Sequence, residues 1–257
     1  YLAAYDCQAS IAHTQMLAKI GVLSQEESDQ IVEVLEELKT DAKNGDFVIE
    51  TEFEDMHSKI EYLLTQKLGD LGKKIHTARS RNDQVLVALH LYLKAEIETI
   101  KGLTHSFFRL LMDLADQHKD HLLPGYTDFL VAMPSSFGLW FSAYAETLVD
   151  DMTLLNAAHQ VVDQNPLGSA AGFGSSFPID RKATTESLGF ADLKYNVIAA
   201  QMSRGKAEKT TATAMAALAT TLSKMAMDIC LYMGQEYNFI SFPEELTTGS
   251  SIMPHKK

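Results

Sequence analysis

Two segments of this chain concentrate residue types that handle carboxylates. The first, His76-Thr77-Ala78-Arg79-Ser80-Arg81-Asn82-Asp83-Gln84, sets arginines on either side of a serine and follows them with an amide and an acid. A guanidinium is a planar fork whose N–H groups match the oxygens of a carboxylate. The Asn82 side chain can donate to the same kind of acceptor. The second segment, Thr248-Gly249-Ser250-Ser251-Ile252-Met253-Pro254-His255-Lys256-Lys257, joins small hydroxyl residues to a proline bend and a pair of cations. Such a polar loop has no core to fill, so it is expected to reach toward something rather than to pack. A serine hydroxyl there is a weak base until its alkoxide is stabilised. Cations and backbone N–H groups in a water-excluded site supply that stabilisation. A loop that closes over its substrate provides both conditions.

Each segment also has a plain structural reading. R-S-R-N-D can be a charged turn that opens a helix near Gln84, with Asp83 as its N-cap or its N-terminal acid. The closing segment can be a Ser/Gly linker with a basic end.

The elements that must position these segments read as helices. Ser24-Gln25-Glu26-Glu27 is a capping box. Ile31, Val34, Leu35 and Leu38 then recur on one helical face, and Asn44-Gly45 is a left-handed stop. A second helix is expected over Glu54 to Lys67. Longer ones are expected over Gln84 to Leu114, Ser136 to Asp163 and Ala207 to Met233, each with an apolar face. Their length points to a bundle. Two loop regions interrupt them, from Pro124-Gly125-Tyr126 to Pro134 and across the Gly/Ser-rich residues 165–178. Phe47-Val48-Ile49 and Phe239-Ile240-Ser241-Phe242 are candidate short extended pieces. No alternating strand pattern runs longer than a few residues.

Composition narrows the function. A chain of 257 residues can bury a sizeable core. Its net charge of −12 argues against a nucleic-acid partner held by phosphate contacts, but leaves room for a locally basic site that takes a small anion. Cys7 and Cys230 are isolated, with no CxxC or Cys/His cluster, so a structural zinc site is not expected. A disulfide between them stays open. Two isolated thiols more often mean a reducing compartment, and a cytoplasmic location is expected. His13, His57 and His105 lack the spacing and companions of a metal site, so no metal is expected. No apolar run approaches the roughly 20 residues of a membrane span, and no membrane partner is expected. Both ends look cut, the first lacking methionine and the last falling inside the Ser/Lys loop.

Read together, the two segments resemble the fumarate-releasing lyase superfamily, and most of all argininosuccinate lyase. The run at 76–84 matches that family's H-T-G-R-S-R-N-D-Q except that Ala78 replaces glycine. Asp6-Cys7-Gln8-Ala9-Ser10-Ile11-Ala12-His13 resembles D-x-x-x-S-x-A-H, where the serine contacts substrate. Glu54-Asp55-Met56-His57 with Ile60-Glu61 resembles E-D-x-H-x-x-I-E. Leu167-Gly168-Ser169 and Pro178-Ile179-Asp180-Arg181 resemble the P-L-G-S turn and the P-I-D-R that follows. In the closing loop, Ser250 takes the place of the superfamily's proposed general base and Lys256 that of its lysine.

Two stretches depart from the pattern. Gly125-Tyr126-Thr127-Asp128-Phe129-Leu130-Val131-Ala132-Met133-Pro134 stands where the family has G-Y-T-H-x-Q-x-A-x-P. Asp128 thus replaces a histidine assigned to proton transfer or substrate orientation, and Leu130 replaces glutamine. An ionised aspartate only accepts hydrogen bonds and repels carboxylates. Three readings are open: Asp128 as a protonated acid, a lineage with altered substrate or mechanism, or a helical scaffold whose activity is weak or lost. At 196–205 the family's N-S-x-D-A-x-S-x-R-D keeps Asn196, Ser203 and an arginine but loses its acids.

The resemblance implies an all-α fold, a long central helical bundle of the fumarase/aspartase-like superfamily with a smaller helical N-terminal domain. Residues 1–83 would form the latter and 84–257 an incomplete bundle, the C-terminal domain being absent. It implies a homotetramer whose active sites are shared between subunits. It implies reversible β-elimination of argininosuccinate to arginine and fumarate, with no cofactor and no metal. Ser250 would take the proton, Asp128 would stand at the place of the proton donor, and Ser10, Arg81, Asn82, Thr127 and Lys256 would bind substrate. The alternatives are another fumarate-releasing lyase such as adenylosuccinate lyase, or a non-catalytic helical protein.

Overall fold

The structure, a computed structural model, describes residues 1–253. These residues are predominantly helical, as expected. They divide into two compact units, one of residues 1–101 with 155–213 and the other of residues 102–154 with 214–257.

In the first unit, α1 (Ala3–Lys19) packs along α2 (Gln25–Asn44). The capping box forms as its spacing predicts: Glu27 N–H donates to Ser24 Oγ at 3.1 Å and Ser24 N–H to Glu27 Oε2 at 3.0 Å. Gly45 ends α2 with φ 85°, the left-handed turn a glycine adopts freely. Leu17, Ile31, Leu35, Ile60 and Leu64 are fully buried between α1, α2 and α3 (Met56–Leu68). Each such side chain contributes about 1.5–3 kcal/mol by burial. A short α4 (Asp70–Lys73) leads to the carboxylate-handling run and to α5, which spans Arg81–Gln117.

The helix expected from Gln84 therefore starts at Arg81. Its opening turn explains the difference. Asn82 N–H approaches Ser80 Oγ at 3.3 Å, and Asp83 returns a carboxylate to Ser80 N–H at 2.9 Å. Ser80 and Asp83 behave as a capping pair, so Asp83 is the helix's N-terminal acid rather than its cap.

The second unit holds the later part of α5, the early part of α6 (Phe137–Val162) and most of α9 (Lys206–Met233). Leu111, Ala145, Leu148 and Met225 form its core, with Trp140 and Tyr144 packed against them. Trp140 Nε1 and Tyr144 OH both donate to Asp228, at 2.9 and 2.6 Å. Burial and the Asp228 carboxylate together raise the Tyr144 pKa.

Between α5 and α6 the chain forms a hairpin that the sequence did not suggest, β1 (Leu122–Thr127) antiparallel to β2 (Leu130–Ser136). Pro124 pairs with Pro134, so both strands carry a residue that cannot donate to the ladder. Strand pairing here also ignores apolar alternation, since Leu130, Val131 and Met133 are all exposed. Gly125 is required by contact: a Cβ there would lie 2.9 Å from the Met133 carbonyl oxygen. The turn is Asp128-Phe129, both with positive φ, 52° and 62°, and aspartate is among the residues that tolerate that region.

Other expectations also change. Residues 47–49 and 239–242 are irregular rather than strands. By length and composition alone α9 is apolar enough to cross a membrane, contrary to the sequence reading. Its many alanines raise the average without making a continuous run of large apolar residues. Cys7 is buried, Cys230 exposed, and both are free.

Candidate active site

The R-S-R-N-D turn sits on a polar framework within the first unit. Asp83 is its anchor. Beyond its bond to Ser80, Asp83 Oδ2 accepts the N–H groups of Gly168 and Ala170 at 2.9 and 3.0 Å. Burial raises the Asp83 pKa, and these N–H groups oppose that rise. The Gly/Ser-rich loop is thus pinned to the start of α5. Its base is fixed in turn by Arg181, the first residue of α7 (Arg181–Ser187), whose Nε donates to Leu167 O at 2.8 Å and whose Nη2 donates to Lys194 O at 2.9 Å. Gln201 Nε2 completes the loop's support at Ser169 Oγ, 2.9 Å, and Ala170 O, 3.0 Å.

Arg81 is held just as firmly. Its Nη1 donates to Asp55 Oδ1 at 2.8 Å and Oδ2 at 3.0 Å, and its Nη2 donates to Glu61 Oε1 at 2.8 Å. Asp55 also caps α3, accepting Ser58 N–H at 2.8 Å. Burial pushes the Asp55 carboxyl up, but the Ser58 bonds and the Arg81 charge outweigh it and hold it below its usual range. Asp55 and Glu61 escaped sequence reasoning as supports. The one local signal was Asp55 standing where a helix cap belongs, just before the periodic run.

Ser10 lies on α1, fully buried, and its Oγ accepts from Arg79 Nη1 at 2.8 Å. Asn82 is exposed. The structure therefore joins Ser10 to the 79–82 turn through Arg79, a residue not singled out for binding. Behind them, Asp6 takes two contacts from Gln84 Nε2, at 3.0 and 3.1 Å, and lies 3.0 Å from His57 Nδ1. His13 Nε2 lies 2.9 Å from Thr77 O. His13 and His57 are buried, and His105 is exposed.

The remaining candidates fall in the second unit. Thr127 and Asp128 are exposed at the hairpin tip. Ser250 is half-buried, and its Oγ accepts the Met253 N–H at 3.2 Å. That is a backbone donor of the kind a forming alkoxide requires. Lys256 lies outside the described residues. In the divergent 196–205 stretch the retained residues have structural work. Asn196 caps α8 (Val197–Met202), accepting Ile198 and Ala199 N–H at 2.9 and 3.0 Å. Ser203 Oγ donates to Ala200 O at 2.6 Å and lies 3.3 Å from His90 Nε2. Among the described residues no group of three or more His, Cys, Asp or Glu is placed to hold a metal ion.

Comparison with known proteins gives a consistent answer. The chain is 54% identical over all 257 residues to an argininosuccinate lyase of Parabacteroides distasonis, and spans 58% of that protein's length. It superposes on an EDDS lyase variant with bound fumarate with a TM-score of 0.89 at 27% identity, covering 100% of this chain and 50% of that one. A class II fumarase from Schistosoma mansoni shares the fold, with a TM-score of 0.85 at 16% identity over 99% of this chain and 62% of its own. The profile of the family described as Lyase matches residues 1–257, and the chain belongs to that family.

Proposed function

We propose that this chain works as part of an argininosuccinate lyase, a carbon–nitrogen lyase that releases fumarate. The observation that carries the reading is the R-S-R-N-D turn. Asp83 and Arg81 are fixed by partners on other elements, while the exposed Asn82 side chain is left as a donor. A site for a dicarboxylate needs such preorganised donors. The 54% identity to a curated argininosuccinate lyase favours that substrate over other fumarate-releasing eliminations.

In this reading Ser250, as alkoxide, takes the proton from the carbon beside a carboxylate, helped by the Met253 N–H. The electron pair left behind expels the guanidinium nitrogen, and the carbon–nitrogen bond breaks to give fumarate. The leaving nitrogen takes a proton and departs as arginine. Arg81, Asn82, Thr127 and Lys256 hold the developing charge, and Ser10 helps position the substrate. Asp128 stands where the proton donor is expected. The elimination as written balances without a cofactor.

Residues 1–83 form the N-terminal helical domain of this assignment and 84–257 belong to the central bundle. Assembly into a homotetramer with shared active sites is part of the reading. It is supported by apolar side chains the second unit leaves in solvent, among them Met227 and Phe129. A cytoplasmic location is supported by the two free thiols.

The test is fumarate release from argininosuccinate by the full-length protein, with adenylosuccinate and an Asp128→His variant alongside. Turnover of argininosuccinate, with Asp128→His no faster, supports a working site that includes Asp128. A silent wild type whose Asp128→His variant gains activity marks lost chemistry at this position. Silence in both, or turnover of adenylosuccinate alone, overturns the assignment.

A further inference from the structure

Beside the hairpin, within the second unit, four aromatic rings stand in series. Tyr126 of β1 meets Tyr237 at 5.4 Å between ring centres, Tyr237 meets Tyr232 at 6.4 Å, and Tyr232 meets Trp140 of α6 at 5.6 Å. Their planes cross at 80°, 62° and 58°. Rings set this steeply enclose a space rather than stack flat. All four line one cavity of about 610 Å³, a size usual for small-molecule sites.

The charged groups of this cavity are both acids. Asp228 of α9 lines it and is half-buried. Its Oδ2 is held by Trp140 Nε1 at 2.9 Å and Tyr144 OH at 2.6 Å, which fixes the carboxylate. Its Oδ1 accepts no hydrogen bond among the described residues. Asp128 lines the same cavity from the hairpin turn, and its carboxylate is likewise unengaged among the described residues. No Lys, Arg or His is among the described lining residues. Burial raises the Tyr232 pKa and the Asp228 charge adds to it, so the phenol stays neutral.

Aromatic rings and fixed negative charge, with no positive charge beside them, are what holds an organic cation. The acceptors narrow its chemistry. A quaternary ammonium has no N–H to give Asp228 Oδ1. A guanidinium has a flat face for the rings and N–H donors for the carboxylates. A cation that also carries a carboxylate meets two acids there and no base. We propose that this cavity binds an alkylguanidinium that carries no carboxylate. Such a ligand is neither substrate nor product of the lyase reading, each of which carries a carboxylate, so the site stands or falls apart from that reading.

Trp140 is the one tryptophan of the 257 residues, so its fluorescence reports on the cavity. The experiment titrates the full-length protein with butylguanidine, butylamine and arginine, following tryptophan fluorescence and calorimetric heat. The proteins are wild type, Trp140→Phe, Tyr232→Phe, Tyr232→Leu and Asp228→Asn. Butylguanidine is expected to bind saturably, with a fluorescence change that Trp140→Phe removes. At that signal it should bind about tenfold more tightly than arginine or butylamine. Tyr232→Phe keeps the ring face and should stay within about threefold of wild type, whereas Tyr232→Leu and Asp228→Asn should each weaken binding about 10-fold. If Tyr232→Leu does not fold, Tyr237→Leu takes its place. Absence of saturable binding up to about 10 mM overturns the inference, as does unchanged affinity in the folded leucine variant. Arginine or butylamine binding as tightly as butylguanidine at the Trp140 signal overturns the choice of ligand. Fumarate release from argininosuccinate, measured on the same preparations, tests the lyase reading separately.

Discussion

A histidine enclosed on α1 has to be neutral or paired, and His13 is kept neutral. Burial is the larger cause, and the nearby Arg79 charge adds to it; together they push its pKa down to about 3 from an ordinary 6.5. With Nε2 2.9 Å from the Thr77 carbonyl oxygen, that nitrogen must carry the proton and donate. The bond ties α1 to the turn that carries Arg79. The sign of the pH effect follows. Below pH 6.5 the unfolded chain gains a proton that the folded chain refuses until about pH 3, so stability is complete above that window and is lost as pH falls through it. The limiting slope is about 1.4 kcal/mol per pH unit. The Asp55 carboxyl, lowered from 3.8, acts in the same direction but only in more acid solution. Urea unfolding of the full-length protein at pH 7 and pH 5.5 should therefore show a loss on acidification. His13→Gln, which retains a donor but does not titrate, should remove part of that loss, the remainder coming from His90, whose pKa burial also lowers. An equal loss in the variant would mean that other groups set the acid limit.

At the scale of elements, what could be read from the sequence was what is local along the chain. Ser24 with Glu27, and Gly45 after a periodic run, place both ends of α2, because a cap is decided within one turn of helix. The hairpin escaped because its strands carry Pro124 and Pro134 and expose their apolar residues, so no alternation marked them. The supports of the site escaped for another reason. Arg81 finds Asp55 and Glu61, and Arg79 finds Ser10, across 26, 20 and 69 positions, distances at which spacing carries no geometric information. The motif resemblance located the turn but not the partners that hold its arginines. It did locate one departure whose cost is now visible. Ala78 replaces the glycine of the resembling run, and it has φ 57°. A left-handed alanine costs roughly 1–2 kcal/mol, offset in part by the extra chain entropy a glycine loses on folding. Ala78→Gly should stabilise the full-length protein by about 0.5–1 kcal/mol, read as a higher urea midpoint at unchanged slope. A lower midpoint would show that the turn is not strained there.

For the whole molecule, the unresolved physical demand is apolar surface. Only 17% of the most apolar stretch of α9 is buried within the chain. Leu222 and Met227 on that helix are 43% and 61% exposed, and Leu103, Leu139 and the hairpin residues Phe129 and Met133 are more exposed still. Large apolar side chains left in solvent on several elements call for a covering surface. A bilayer would cover it, but α9 also carries Lys206, Glu208, Lys209, Lys224 and Asp228, with Asp228 bonded to Trp140 and Tyr144 within the unit. A face of mixed small and medium side chains, rich in alanine and threonine, suits close approach of another helix. The homotetramer of the proposed function supplies such helices. Sedimentation of the full-length protein should then give the mass of an assembly. Leu222→Glu with Met227→Glu should shift it toward smaller species, because each places a charge that must be desolvated to keep the contact. Shared active sites require turnover to fall together with the mass. Dissociation with activity retained would leave the assembly in place but remove the sharing. An unchanged mass in the double variant would take α9 out of the interface altogether.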